Sequence, residues 1–107
     1  MGRFKIFLNR SHYYFALISD SGYTLLTSNP YNSEYDCRNG INLLKQSALI
    51  DSNFVRNKSD ENRHFFELKG MNGAIIAKSD LYSSISGLEN SIASVKRNIL
   101  FSYVTHD

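Results

Sequence analysis

The sequence predicts an α+β fold, assembled as β-β-β-α-β twice over. Three observations carry that reading. The chain repeats itself with an offset of 51 residues. Each copy contains a hairpin signal between two aromatic, branched segments. Each copy then changes from strand-like alternation to a helical apolar stripe.

The repeat comes first, because self-similarity sets the architecture. Sliding the sequence by 51 residues aligns Tyr13–Ala48 with His64–Ile99 without a gap. Nine of these 36 positions are identical: Phe15/Phe66, Leu17/Leu68, Gly22/Gly73, Ser28/Ser79, Tyr31/Tyr82, Ser33/Ser84, Asn39/Asn90, Ile41/Ile92 and Lys45/Lys96. Average composition would give roughly two or three. Of the 107 residues, 42% are apolar, which excludes a globally disordered chain. One domain made of two repeats, about 1–52 and 53–107, follows from that length. A unit of about 50 residues is near the lower limit for a self-supporting core. The two copies are therefore expected to share one sheet, with both helices on one face.

The elements follow in order. Phe4-Lys5-Ile6-Phe7-Leu8 alternates as a strand, and the more polar Asn53–Lys58 is its weaker counterpart. Tyr13–Ser19 and Tyr23–Ser28 flank Asp20-Ser21-Gly22; Phe65–Lys69 and Ala74–Ser79 flank Gly70-Met71-Asn72-Gly73. Glycine supplies the positive φ such turns need. Ser33 and Ser84 stand where helix N-caps are expected, with a hydroxyl for an orphan backbone N–H. Cys37, Ile41, Leu44 and Ala48 then form one apolar stripe, and Leu88, Ile92, Val95 and Ile99 the other. Ala48-Leu49-Ile50 and Ile99–Val104 read as a final strand in each copy. Alternation puts Phe15, Leu17, Leu25, Phe66, Leu68 and Ile76 inward. It puts Tyr14, Ala16, Ile18, Thr24 and Leu26 outward, with Phe65, Glu67, Lys69, Ile75 and Ala77 in the second copy.

The repeated residues Gly22, Ser28, Tyr31, Ser33, Asn39, Ile41 and Lys45, and again Gly73, Ser79, Tyr82, Ser84, Asn90, Ile92 and Lys96, make a pattern that resembles the YegP-like family of small bacterial proteins. The match runs through both copies, although Asn39-Gly40 becomes Asn90-Ser91 in the second. The resemblance implies one antiparallel sheet with exchanged final strands. Residues near 49–52 would pass to copy two and 100–104 to copy one. It implies no activity and no catalytic residues.

The chemistry is sparse. A single cysteine, Cys37, excludes an internal disulfide and falls on the helix stripe as a core residue. His12, His64 and His106 form no metal-ligand spacing, and the acids are dispersed. No catalytic, metal or cofactor residue is therefore assigned. No apolar run approaches a membrane span, and a cytoplasmic protein with no membrane partner is expected. Asn39 and Asn90 are poor helix formers, so their amides are expected to bond backbone of the exchanged strands.

The feature that suggests binding is the helix-free sheet face. Tyr14, Ile18, Leu26, Phe65 and Ile75 are its candidate interaction residues. An apolar open face points to an unknown protein partner or to self-association. Nucleic-acid binding through surface tyrosines and Lys/Arg is the alternative, weakened by the scarcity of cations on copy one's outward strands. An enzyme with a site at the repeat junction is a further alternative.

Overall fold

The computed structural model describes residues 2–99 and 102–106. Three strands lead: β1 (Arg3–Asn9), β2 (His12–Ile18) and β3 (Thr24–Ser28). Helix α1 (Glu34–Ser47) and a 3-10 turn at Asp51–Asn53 follow. The order then recurs as β4 (Phe54–Lys58), β5 (His64–Lys69), β6 (Ile75–Lys78) and α2 (Ile85–Ile99), ending in β7 (Tyr103–His106). All strands share one seven-stranded sheet, ordered β4-β5-β6-β3-β2-β1-β7. No helix among the described residues is long and apolar enough to cross a membrane.

The two halves meet at β3 and β6, where Thr27 pairs with Lys78 and Ser28 with Ala77. Thr27 and Lys78 are themselves 51 residues apart. A pseudo-two-fold axis therefore passes between them and relates the halves. Both helix stripes pack on one side of the sheet, in one core with Phe4, Phe15, Leu17, Phe66 and Leu68. Phe4 and Phe15 meet edge-on, with ring centroids 5.7 Å apart.

The final strands do not behave alike. β7 crosses to copy one and pairs with β1, Phe4 opposite Val104. That pairing is parallel, so the sheet is mixed rather than wholly antiparallel. A helix interposed before β7 frees it from the reversal that a tight hairpin imposes. Leu100 and Phe101, part of the expected strand, lie outside the described residues. No strand forms over 48–50 or 49–52. The backbone amides of Ala48, Leu49 and Ile50 all bond back to carbonyls of α1, at Leu44, Gln46 and Ser47. They close a helix terminus and cannot serve a ladder. Asn53 donates its amide to Ser47 O (3.0 Å), and the chain enters β4 directly.

Alternation also fails at one place in each copy. A bulge shifts the β2–β3 register between Leu17 and Ile18, so Leu26 pairs with inward Leu17. Leu26 is completely buried in the core and is not on the open face. The same shift at Leu68/Lys69 turns Ala77 inward opposite Leu68. Leu25 is buried as expected, whereas Ile76 only borders the core.

The strand-to-helix joints repeat in detail. The Ser28 hydroxyl accepts from Phe15 N–H and donates to Asn29 O, both at 2.9 Å. Ser79 does the same with Phe66 and Asp80. Each hydroxyl stands in for a backbone partner where the strand leaves the sheet. Two backbone hydrogen bonds then pin Tyr31 to Tyr13, and two pin Tyr82 to His64. Ser33 caps α1 through Asp36 N–H (3.1 Å), and Ser84 caps α2 through Gly87 N–H (3.0 Å). Gly22 and Gly73 turn the hairpins at φ 88° and 86°.

Lys45 and Lys96 recur for a reason visible only in three dimensions. Lys45 Nζ lies 5.6 Å above the Phe4 ring and reaches Ser102 O (3.4 Å). Lys96 Nζ lies 5.3 Å above Phe54 and meets Asp51 (2.7 Å). Each lysine thus ties its helix to the segment that leaves the other helix. Asp51 and Glu89 also face Arg56, whose guanidinium donates to Glu89 at 2.7 Å. These cations hold both carboxyls below the ordinary carboxylate range, foremost Lys96 for Asp51 and Arg56 for Glu89.

The change from Gly40 to Ser91 is also accounted for. A Cβ on Gly40 would overlap the Tyr31 hydroxyl, so only glycine lets that ring lie against α1. In copy two the ring stands off, and Tyr82 Oη donates to Ser91 Oγ at 2.7 Å. Glycine to alanine inside a helix ordinarily gains up to about 1 kcal/mol. Here Gly40→Ala will instead destabilise by about 1–3 kcal/mol through overpacking. Ser91→Ala will cost about 0.5–1.5 kcal/mol. Urea denaturation compares them, and a stabilised Gly40→Ala protein contradicts the packing account. By the same measurement Phe66→Ala, which empties a fully buried site, will cost roughly 3–5 kcal/mol.

Candidate functional site

Strand parity assigns each residue to the helix side or to the open side of the sheet. With Phe4 and Ile6 inward, β1 turns Arg3, Lys5 and Phe7 outward. β2 adds Tyr14, Ala16 and Ile18, and β5 adds Phe65, Glu67 and Lys69. Thr27 and Lys78 stand between the halves. The register joins these into one row across the sheet: Lys5, Ala16, Thr27, Lys78, Glu67 and Val55.

Two of the aromatic rings on this face, Phe7 and Phe65, lie against lysines. Phe7 stacks on Tyr14 with centroids 5.6 Å apart and planes 15° from parallel. Lys5 Nζ lies 5.7 Å from the Phe7 centroid. Lys78 Nζ lies 4.6 Å from that of Phe65. Tyr14 and Phe65 are related by the 51-residue offset, so one ring stands on each side of the axis. Both are half-buried, as is Ile75. Four of the five candidate residues, Tyr14, Ile18, Phe65 and Ile75, thus share the open face, and Leu26 does not. Ile18 is only 8% exposed and Ala16 5%, yet neither belongs to the helix-side core. The apolar area available on the face is smaller than alternation alone suggests.

Charge is the residue class that the outward-strand reading undercounted. β2, β3, β5 and β6 are not the whole outward surface, because β1 lies on it too. β1 brings Arg3 and Lys5, which join Lys69 and Lys78 against Glu67, the one acid among the described residues of these strands' outward positions. Arg3 donates to Thr105 Oγ1 on β7 (3.0 Å), and Asn57 donates to Glu67 (3.0 Å). The period-two pattern of Arg3, Lys5 and Phe7 was sufficient to place them there.

The remaining candidates are structural or exposed. Cys37 is wholly buried. Burial, followed by the nearby Glu34 carboxylate, pushes its thiol up to about 11, so it stays protonated at neutral pH. Burial also raises Tyr31, with Cys37 the lesser cause. His106 comes to α1, 3.0 Å from Glu34, and Arg38 meets the same carboxylate at 3.1 Å. The Arg38 and His106 hydrogen bonds hold the Glu34 carboxyl below its ordinary range. His64 instead borders a shallow depression with Arg56 and Glu89. Among the described residues, no group of three or more His, Cys, Asp or Glu is placed to hold a metal. Asn39 and Asn90 are exposed on their helices, and their amides make no hydrogen bond among the described residues. The expected bond to an exchanged strand is not formed among the described residues. The segments that leave the helices are held by Lys45 and Lys96 instead.

The arrangement has relatives. The UPF0339 protein YegP of Escherichia coli O157:H7 is 31% identical over 88 residues, covering 82% of this chain and 80% of its own. YegP of Yersinia pestis is 33% identical over 86 residues, covering 80% and 77%. The solution structure of E. coli yegP, described as a protein of unknown function, superposes with a TM-score of 0.93 at 27% identity, covering 99% of this chain and 92% of that one. A UPF0339 protein from Shewanella oneidensis gives a TM-score of 0.92 at 25% identity, covering 98% and 90%. The family profile named Domain of unknown function (DUF1508) matches residues 9–54 and 59–100, one segment in each half. By sequence and by fold, the chain belongs to the DUF1508 family, the UPF0339 proteins typified by YegP, whose function is unknown.

Proposed function

We propose that the protein is a non-enzymatic interaction module whose working surface is the helix-free face of its sheet, and that its partner is a single-stranded nucleic acid. The observation that supports this is the pairing of rings with cations on that face: Lys5 on the Phe7–Tyr14 stack and Lys78 on Phe65. Bases stack on exposed rings while Lys and Arg track the phosphates. A base between flanking phosphates needs both groups within one nucleotide's reach, and here Phe7 and Phe65 each lie against an ammonium. The near-complete burial of Ala16 and Ile18 removes much of the apolar area that a protein interface would use.

Fluorescence anisotropy of a labelled single-stranded RNA tests the reading. With Arg3, Lys5, Lys69 and Lys78 contributing, affinity will fall roughly fiftyfold between about 50 and about 200 mM salt. Phe65→Ala will weaken binding at least about fivefold by removing one stacking platform. Absence of binding at the lower salt eliminates the nucleic-acid partner. If the face pairs two copies instead, light scattering will show a concentration-dependent mass that Phe65→Ala reduces.

A further inference from the structure

The pseudo-two-fold axis generates a groove twice, and the two versions have diverged. The first is a cleft of about 510 Å³ between α2 and the β2–β3 turn, extending to the β6–α2 joint. The second, about 280 Å³, lies between α1 and the β5–β6 turn. The correspondence is residue by residue. Leu43, Met71 and Ala74 in the smaller groove stand 51 positions from Ser94, Asp20 and Tyr23 in the larger. The fold is satisfied by an aliphatic filling on one side. It does not require the polar wall on the other.

That wall is a helix stripe. Gly87, Asn90, Ser94, Arg97 and Asn98 follow one another at helical spacing along α2, all lining the cleft. Asn98 is engaged, donating to Ser94 O at 2.7 Å. The Asn90 amide and the Arg97 guanidinium have no partner among the described residues, and neither has the Asp80 carboxylate. Arg97 is near the C-terminal end of α2, whereas Asp80 precedes its N-terminus. The groove thus carries an uncommitted cation at one end and an uncommitted anion at the other, while Asp20 on the β2–β3 turn side of the lining is engaged. From Gly87 to Asn98 the helix rises about 16 Å. That length matches about five residues of extended peptide. The cleft volume falls within the roughly 300–1,000 Å³ typical of ligand sites, and the smaller groove falls below it.

We propose that the larger groove binds a short extended peptide with its free carboxylate on Arg97, its backbone against Asn90 and Ser94, and its ammonium towards Asp80. A phosphate dianion suits the groove less well, because Asp20 and Asp80 both line it. The site is separate from the open sheet face, since α2 lies on the opposite side, so the two can fail independently.

Penta-alanine, titrated into the ¹⁵N-labelled full chain and followed by NMR, is the direct test. Saturable shifts centred on Asn90, Ser94 and Arg97 are expected. They should weaken at least tenfold for the C-terminally amidated peptide and for Arg97→Gln. Ser94→Leu, which copies Leu43 of the smaller groove, should abolish them while the spectrum stays folded. No saturable shift, equal binding by Arg97→Gln, or the same shifts from inorganic phosphate would each overturn the proposal.

Discussion

The halves of this sheet are joined by two residue pairs and by Asn29, which donates its backbone N–H to Ile76 O (3.2 Å) and its side-chain amide to Ile75 O (2.9 Å). Thr27 opposite Lys78 and Ser28 opposite Ala77 are the whole registered contact between β3 and β6. Such a short ladder is weak on its own, since a strand pair gains most from packing behind it. Its strength comes from the helix side, where both helix stripes and both sets of strands form one core. Ser28 and Ser79 belong to the same construction, supplying hydroxyls where each strand departs. The central ladder, the joints and the core therefore stand or fall together, and neither half has a core of its own to retreat to.

Much of this was legible in the residues. The serine caps, the glycine turns and both apolar helix stripes follow from local chemistry, and local chemistry governed them. What escaped is non-local. A bulge changes strand parity by one residue, and that single step took Leu26 from the open face into the core. Nothing in Tyr23–Ser28 announces it, because both leucines suit either side. The Ala48–Ile50 run looked like a strand because it is apolar. Its amides were already claimed by the helix terminus. Recurrence points to a fold role for the asparagines, yet the recurring lysines six positions on hold the crossing segments. Recurrence identified positions under constraint without saying which of them served the fold.

Duplication also separates what the fold needs from what it tolerates. Where the copies agree, at Ser28/Ser79 or Lys45/Lys96, the structure gives each pair the same task. Where they differ, the fold accepts both solutions. Gly40 and Ser91 are alternatives for seating a tyrosine. Ala16 opposes Glu67 in the 51-residue alignment, and Ile18 opposes Lys69, on the open face. Leu43 against Ser94 distinguishes the grooves. Each copy acts as an internal control for the other, and the positions freed from packing duty are the ones that carry charge and rings.

The pairing of β7 with β1 bears on how the chain reaches this state. Arg3 and Tyr103 are partners separated by a hundred residues of sequence. During synthesis β1 can zip to β2 at once, through a two-residue turn at Arg10 and Ser11. Its other edge must wait until nearly all of the remaining elements have left the ribosome. Contacts of that sequence separation are slow to close. An open strand edge in the interval invites pairing with another chain. Closure by β7 is therefore the step at which crowding, chaperones or a truncated message would act, and β1 is the edge they would find.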